Sequence, residues 1–322
     1  MGWLGVGSRS HLGAAGRPAR ESLWYHPGVS LEGYFLGCPI WSRKDWVGEL
    51  FPPGARAGDL LAHYAAIFNS VEGNTTFYAV PSPATVARWC EQTPEDFAFC
   101  FKFPQAITHE SRLRDCRAAA HGFLDRLAPL GPRLGPTFIQ LSPTFGPDQL
   151  SVLQGFVDQL PESGSGGYAV EVRHPAFHAD TMARRDLDDF LRSRGIERVI
   201  LDTRGLHSAR PETTAIREAQ RKKPKVPLHV AVTGDRPFVR FIGHPDLEVN
   251  RELLPSWADR VAQWIAEGKK PYLFMHMPDD FYAPRLARMF HDELSQRADV
   301  GELPTWPIAP PEKASQLDLF RA

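Results

Sequence analysis

The stretch YAVEVRHPAFHADTMARRDLDDFLRSRGIERVILDT, residues 168–203, passes from one short apolar run through an amphipathic segment into a second apolar run. YAVEVRH (168–174) and RVILDT (198–203) are nearly continuous in apolar character, as strands are when helices cover one face and a core fills the other. Between them MARRDLDDFLRSRG (182–195) has helical spacing and stops at a glycine. The unit is strand, helix, strand, and each strand ends in charged residues.

The same unit recurs on both sides. Further apolar runs are YFLGCPI (34–40), SVEGNTTFY (70–78), FAFCFK (97–102), PTFIQL (136–141), FVRFIGH (238–244) and PYLFMHM (271–277). The segments after them read as helices. AGDLLAHYAAIF places Leu60, Leu61, Tyr64, Ala65 and Phe68 on one face. SPATVARWCEQ opens with Ser82 as N-cap and Pro83 at the first helical position. PDQLSVLQGFVDQL, SWADRVAQWIAEG and APRLARMFHDELSQR follow the same rule. Eight strand-then-helix units between residues 34 and 300 suit a (β/α)8 TIM barrel, which takes about 250 residues. A doubly wound sheet would show a Gly-rich dinucleotide turn after its first strand. Here that strand leads into GCPIWSRKDW, without GxGxxG.

Residues 34–300 are therefore expected to form an α/β barrel domain. Residues 1–33, rich in Gly, Ala, Ser and Arg without periodicity, read as a poorly ordered extension. Residues 301–322 read as a Pro-rich linker and a tail. The 322 residues are 43% hydrophobic and 23% charged, which excludes a disordered chain and supplies a sizeable core. The net charge of −1 gives no global pull toward nucleic acid or acidic lipid, so such binding needs a local patch or a tether. Cys38, Cys90, Cys100 and Cys116 lack metal-like spacing and read as reduced thiols of a cytoplasmic protein. No run reaches the roughly 18 apolar residues of a membrane span, and no signal peptide is apparent, so no membrane partner is expected.

In a barrel the chemistry sits at the C-terminal ends of the strands. Those ends carry Glu72, Asn74 and Thr76 on the second run, read as alternating on one face. Lys102 ends the third, with Thr108 and His109 soon after, and Gln140 ends the fourth. Glu171, Arg173 and His174 end the fifth, and Asp202 with Arg204 the sixth. Arg240 and His244 lie on the seventh; His276, Asp279 and Asp280 follow on the eighth. Each of these taken singly is as well explained by a buried ion pair; the set points to a ligand-binding mouth. Glu72, Glu171 and Asp202 with His174 or His276 could bind a divalent metal, though no HxH or HExxH makes that specific. The same carboxylates suit general acid–base work. Lys102, Arg173 and Arg240 around one mouth suit an anion, phosphate above all. RKKPK (221–225) reads as a solvated loop at the edge of that mouth, or as a nucleic-acid contact.

CPIWSRKDWVGELFPPG, VEGNTTFYAVPSPATVARW, FKFPQAITHE, QLSP, EVRH and VRFIGH, in that order from about residue 36 to 298, resemble the YecE-like family, domain of unknown function 72. The resemblance implies a TIM barrel and no settled activity. It implies a conserved pocket at Glu72, Lys102, Thr108, His109, Gln140, Glu171, Arg173, His174, Asp202 and Arg240. Two departures stand out: VEGNTTFY where the family often has VEINSTFY, and MHMPDD where it has an aromatic-Asn-Asn-Asp stretch, so His276 and Asp279 replace amides.

The tail ends in QLDLF, Gln316, Leu317, Asp318, Leu319 and Phe320. It looks like the pentapeptide with which bacterial replication and repair proteins bind the DNA sliding clamp. Burying the two leucines and the phenylalanine is worth roughly 1.5–3 kcal/mol each. Ordering the tail takes much of that back, leaving a micromolar contact of about −8 kcal/mol. The other reading is a tail that folds back onto its own barrel. Three functions follow: a hydrolase or nuclease-like phosphoester enzyme held at DNA by the clamp; a non-catalytic nucleotide or nucleic-acid adaptor; or a sugar-phosphate or sugar isomerase-like enzyme with an incidental tail. On the first, replacing Glu72 and Glu171 together is expected to abolish activity without unfolding.

Overall fold

The computed structural model describes residues 31–162 and 166–306. All eight expected strands are present: β1 Phe35–Gly37, β2 Ser70–Gly73, β3 Ala98–Phe101, β4 Thr137–Gln140, β5 Tyr168–Glu171, β6 Glu197–Asp202, β7 Phe238–Ile242 and β8 Tyr272–His276. The helices are α1 Leu60–Ala65, α2 Pro83–Gln92, α3 Arg117–Leu127, α4 Leu150–Val157, α5 Ala176–Ala179, α6 Thr181–Ser193, α7 Arg204–Ser208, α8 Thr214–Lys222, α9 Leu254–Ala266 and α10 Ala283–Ser295. α3 and α8 have few large apolar residues, with Phe123 and Leu127 buried on α3 and Ile216 on α8.

Every strand pair is parallel. The ladder is not one closed sheet of eight. Six strands form a curled sheet in the order β1-β8-β7-β6-β5-β4, and β2 pairs with β3 alone. Between β1 and β2 the Glu72 amide donates to the Cys38 carbonyl at 3.1 Å. Between β3 and β4 there are two isolated bridges, Phe99 with Leu134 and Lys102 with Phe138. Gly37 explains the first junction: a Cβ there would lie 2.1 Å from the Ser70 carbonyl oxygen, so only glycine admits that approach.

The helices are built as the periodicity predicts. Ser82 caps α2 by accepting from the Thr85 amide at 3.1 Å, with Pro83 behind it. Asp180 caps α6, accepting from Met182 at 2.8 Å and Ala183 at 3.2 Å. α6 then buries Ala183, Leu187, Phe190 and Leu191 against the sheet, one helical stripe. Gly195 and Gly268 end α6 and α9 with φ of +60° and +78°, the left-handed region that glycine enters freely.

The interior has its own floor. Ala98, Cys100, Phe138, Ala169, Val199, Phe238, Tyr272 and Phe274 pack together inside the strands, apart from the larger core between strands and helices. Phe138 and Phe238 lie 5.3 Å apart by ring centres, and Phe35 stacks on Tyr272 at 4.3 Å. Side chains alternate along a strand. The next inward position above this floor is therefore Lys102 after Cys100, Gln140 after Phe138, Glu171 after Ala169, Arg240 after Phe238 and His276 after Phe274. The aromatic floor sets the depth at which the charges begin.

The first and last turns of the domain are tied together. The Glu32 amide donates to the Val300 carbonyl at 3.1 Å, Leu303 is buried, and the Trp306 ring lies 3.9 Å from the Arg288 guanidinium carbon. The extension expected over residues 1–33 falls almost wholly outside the described residues, and the QLDLF segment does so entirely. Among the described residues no helix is long and apolar enough to cross a membrane. All four cysteines are free thiols.

Candidate functional site

Arg240 is the centre of the mouth. It is 1% exposed and lies over Phe138. Its Nε donates to Glu72 Oε2 and its Nη2 to Glu72 Oε1, both at 2.7 Å. Its Nη1 donates to Glu171 Oε2. Glu72 also accepts from Asn74 Nδ2 at 2.8 Å and pairs with His276 Nε2 at 3.0 Å. Glu171 accepts from Arg173 Nε at 2.6 Å, and Arg173 donates onward to Gln140 Oε1 at 2.7 Å. One polar chain thus joins β2, β4, β5, β7 and β8 across the floor.

The electrostatics follow from that chain. Burial alone would raise the Glu72 carboxyl, but the Arg240 charge and then His276 outweigh it and hold the group well below the usual carboxylate range. Glu171 is depressed in the same way, by Arg240 and then Arg173 against burial. His276 is pushed down to about 3, chiefly by burial, so its imidazole is neutral and must donate Nε2–H to Glu72. Arg240 is held fully protonated: its two carboxylates outweigh burial.

A cavity of about 730 Å³ opens above this network. Asn74, Lys102, His109, Gln140, Arg173, Arg240 and His276 line it. Glu72 and Glu171 sit beneath, with no exposure. Burial lowers the His109 imidazole to about 4, helped by Arg173 and Lys102. Thr108 stands behind it. The Thr108 hydroxyl lies 3.2 Å from the Pro104 carbonyl and is hydrogen-bonded to His109 Nδ1 at 2.8 Å, which fixes the ring's orientation.

Besides Thr108 behind His109 and the two glutamates beneath, four predicted residues do not face the cavity. Asp202 points to the helix side of β6, where its carboxylate accepts from Trp257 Nε1 of α9 at 2.8 Å and from the Arg204 amide and guanidinium at 2.7–3.1 Å. His174 accepts from the Ala176 amide at 3.2 Å and starts the α5 turn. His244 accepts from the Asp246 amide at 3.0 Å, shaping the loop after β7. Asp279 pairs with Arg43 at 2.7 Å and caps the following turn through Phe281 N at 3.0 Å. The alternation expected over Glu72, Asn74 and Thr76 also stops early. Asn74–Phe77 is a 3-10 turn, and Thr76 donates back to the Gly73 and Lys102 carbonyls.

The carboxylates and histidines named as metal ligands are consequently not gathered into one set. No group of three or more His, Cys, Asp or Glu among the described residues is placed to hold a metal ion. Glu72 instead spends both oxygens on four nitrogen donors.

Further residues complete the wall, among them Asp280 of the strand-end set and Lys223 of the basic run. Lys223, from the RKKPK loop, turns into the cavity, while its neighbour Lys222 pairs at the rim with Glu218 at 3.2 Å. Burial and then the Arg240 charge press the Lys223 amine well below its ordinary value. Asp280 faces in where Asp279 faces out; burial raises it to about 6 against the pull of Lys223. Trp41, Phe77 and Tyr78 line the wall, Tyr78 being 76% exposed. In the sequence, Asp280 stands with Asp279 after the eighth strand, and Lys223 is marked only by the basic run.

Comparison with known proteins fits this architecture. The family model described as "Protein of unknown function DUF72" matches residues 35–311. The chain is 46% identical over 275 residues to the UPF0759 protein YecE of Escherichia coli K12, covering 85% of this chain and 97% of that protein. It is 30% identical over 78 residues to the UPF0759 protein YunF of Bacillus subtilis 168, 24% of this chain and 27% of that one. Crystal structures of DUF72 family proteins from Enterococcus faecalis V583 and Thermotoga maritima MSB8 superpose with TM-scores of 0.62 and 0.58. The first is 19% identical and spans 84% of this chain and 99% of its own; the second is 23% identical and spans 81% and 99%. A two-strand and six-strand parallel array, with its charged network laid over an aromatic floor, is therefore the frame of a chain that belongs to the DUF72 family, the UPF0759 proteins of unknown function.

Proposed function

We propose that the eight strands act as one (β/α)8 barrel whose mouth binds a phosphate-bearing ligand. One observation carries this reading. Lys102, Arg173, Lys223 and Arg240 line the cavity above the buried Glu72 and Glu171, and the side-chain amines of Lys102 and Lys223 have no hydrogen-bond or ion-pair partner among the described residues. The buried carboxylates are already committed to Arg240. Unpartnered nitrogen donors beside a cavity favour an anion, and a phosphate supplies acceptors for Lys223, for the Nη protons of Arg173 not already used by Glu171, Gln140 and the Lys222 carbonyl, and for Lys102 in its protonated form. The exposed Tyr78 ring at the rim supports a nucleoside phosphate over a bare one.

The test is calorimetric titration of the full chain with inorganic phosphate and with a deoxynucleoside 5′-monophosphate. Binding that Lys223→Met weakens about tenfold, or roughly 1.4 kcal/mol, is the expected result. Absence of heat with both ligands overturns the reading.

The DNA sliding clamp is the proposed partner, through Gln316 to Phe320, and it would bring nucleic acid to the mouth. This rests on the sequence of the tail. A phosphoester hydrolase at that location is the first form of the proposal. A non-catalytic adaptor is favoured by a separate observation: Glu72 carries four donors and has no capacity left for proton transfer. Saturable nucleotide binding with no product by mass spectrometry would select the adaptor.

A further inference from the structure

Lys102 is built unlike the two arginines of the mouth. Its side chain leaves the end of β3 on the inner face, above Cys100, and is 8% exposed. Its ammonium lies 5.0 Å from the Phe77 ring centre and 5.5 Å from that of Phe138. It forms no ion pair and no hydrogen bond with any described residue, yet it lines the cavity. The charged and titratable groups around it are Arg240, Glu72, Glu171, Arg173, His109 and Lys223. Both glutamates are engaged by Arg240. Burial first, and Arg240 next, bring the amine down to about 7 from its ordinary 10.5. Near neutrality a large share of Lys102 is therefore free amine, the nucleophilic form. A lysine desolvated among apolar rings and next to another cation is the arrangement that activates an amine toward carbonyl carbon.

We propose that Lys102 is a nucleophile that forms an imine with an aldehyde-bearing sugar phosphate held in the cavity. This rests on the phosphate-binding reading above, with Lys223 and Arg173 taking the phosphate. The Nζ lone pair forms a C–N bond to the aldehyde carbon as the C=O π pair moves to oxygen. One nitrogen proton passes to that oxygen to give the carbinolamine. Loss of the hydroxyl and the second nitrogen proton as water leaves C=N, so amine plus aldehyde gives imine plus water. The chemistry has two sources: a free aldose phosphate, or the open-chain sugar of an abasic nucleotide within a DNA strand. The QLDLF tail favours the second.

The experiment is reductive trapping with cyanoborohydride on the full chain, read by intact mass and peptide mapping. Three aldehydes are used in separate arms: 2-deoxyribose 5-phosphate, an oligonucleotide containing one abasic site, and uncharged glycolaldehyde. The expected result is an adduct on Lys102 formed at least tenfold faster than on the exposed Lys44 and Lys270, with a rate that rises through a midpoint near pH 7, and none on Lys102→Arg. The pH–rate profile uses the unmodified chain, so a variant that fails to fold does not spoil the test. Labelling spread evenly over the lysines, or a midpoint near 10, overturns the proposal. An adduct with either phosphate arm supports it and identifies the source. A Lys102 adduct with glycolaldehyde alone supports the nucleophile and overturns the phosphate site. Calorimetric phosphate binding without any Lys102 adduct overturns the nucleophile and leaves the phosphate site standing.

Discussion

Arg240 of β7 grips Glu72 of β2 through two hydrogen bonds of 2.7 Å, although the two strands share no sheet. The pair is 168 residues apart in the chain and almost wholly buried. It spans the inside of the strand array and ties the two-strand pair to the six-strand sheet. Removing one partner of such a pair strands a buried charge, at about 3–5 kcal/mol. Glu72→Gln should therefore lower the unfolding free energy measured by urea titration by about 3–5 kcal/mol. The double change at Glu72 and Glu171, which the sequence suggested would spare the fold, should leave the chain largely unfolded by circular dichroism. A double variant with a wild-type midpoint would refute the structural role.

His276 sets where acid begins to act. Its folded value of about 3 lies below the ordinary 6.5, so the unfolded chain holds more protons between those limits. Stability from His276 is present above about 6.5 and is lost as pH falls toward 3. Glu72 and Glu171 are also depressed, and their share is lost only below about 4.3. Acid unfolding of the wild type should start near pH 6. His276→Gln should move that onset down by about one unit, by fluorescence titration. An unmoved onset would assign the transition elsewhere.

Lys102 acts in the same sense as His276, but on the alkaline side. Its amine is brought down to about 7, so the unfolded chain binds more protons from there up to 10.5, and wild-type stability rises with pH across that window. Lys102→Met should be more stable than wild type at pH 7, by roughly 1–3 kcal/mol. The gain should shrink toward pH 10. A gain independent of pH would mean that packing, not charge, is responsible.

Asp202 fastens β6 to α9 instead of facing ligand. Asp202→Asn loses charge-assisted hydrogen bonds from Arg204 and weakens the one from Trp257, worth about 1.5–3 kcal/mol. Its thermal midpoint should fall while its affinity for inorganic phosphate stays within twofold of wild type. A selective loss of phosphate binding with normal stability would return Asp202 to the site.

The tail can be tested apart from the mouth. By surface plasmon resonance, the full chain should bind the sliding clamp of its own species with a Kd in the micromolar range, about −8 kcal/mol. Leu319→Ala with Phe320→Ala should abolish the contact, since most of the apolar burial goes with those side chains. Equal binding by both proteins would show that the contact lies elsewhere.

Sequence alone determined the strands, most of the long helices with their caps, and the rule that polar residues gather at the strand ends. Each depends on neighbours within a few residues, where covalent spacing sets the periodicity. It did not determine which parity of a strand faces inward. In YAVEVRH, Glu171 shares its face with Ala169 and points to the mouth; in RVILDT, Asp202 shares its face with Ile200 and points to the helices. Both faces of a buried parallel strand are apolar, so hydropathy does not separate them. Nor did it say that Arg240 would take both glutamates, leaving Lys102 unpaired, or that Lys223 would turn in from a loop that looked solvated. Those outcomes depend on distances between segments far apart in the chain. They were decided when the curled sheet, with β5 and β7, and the separate β2-β3 pair came together around one aromatic floor.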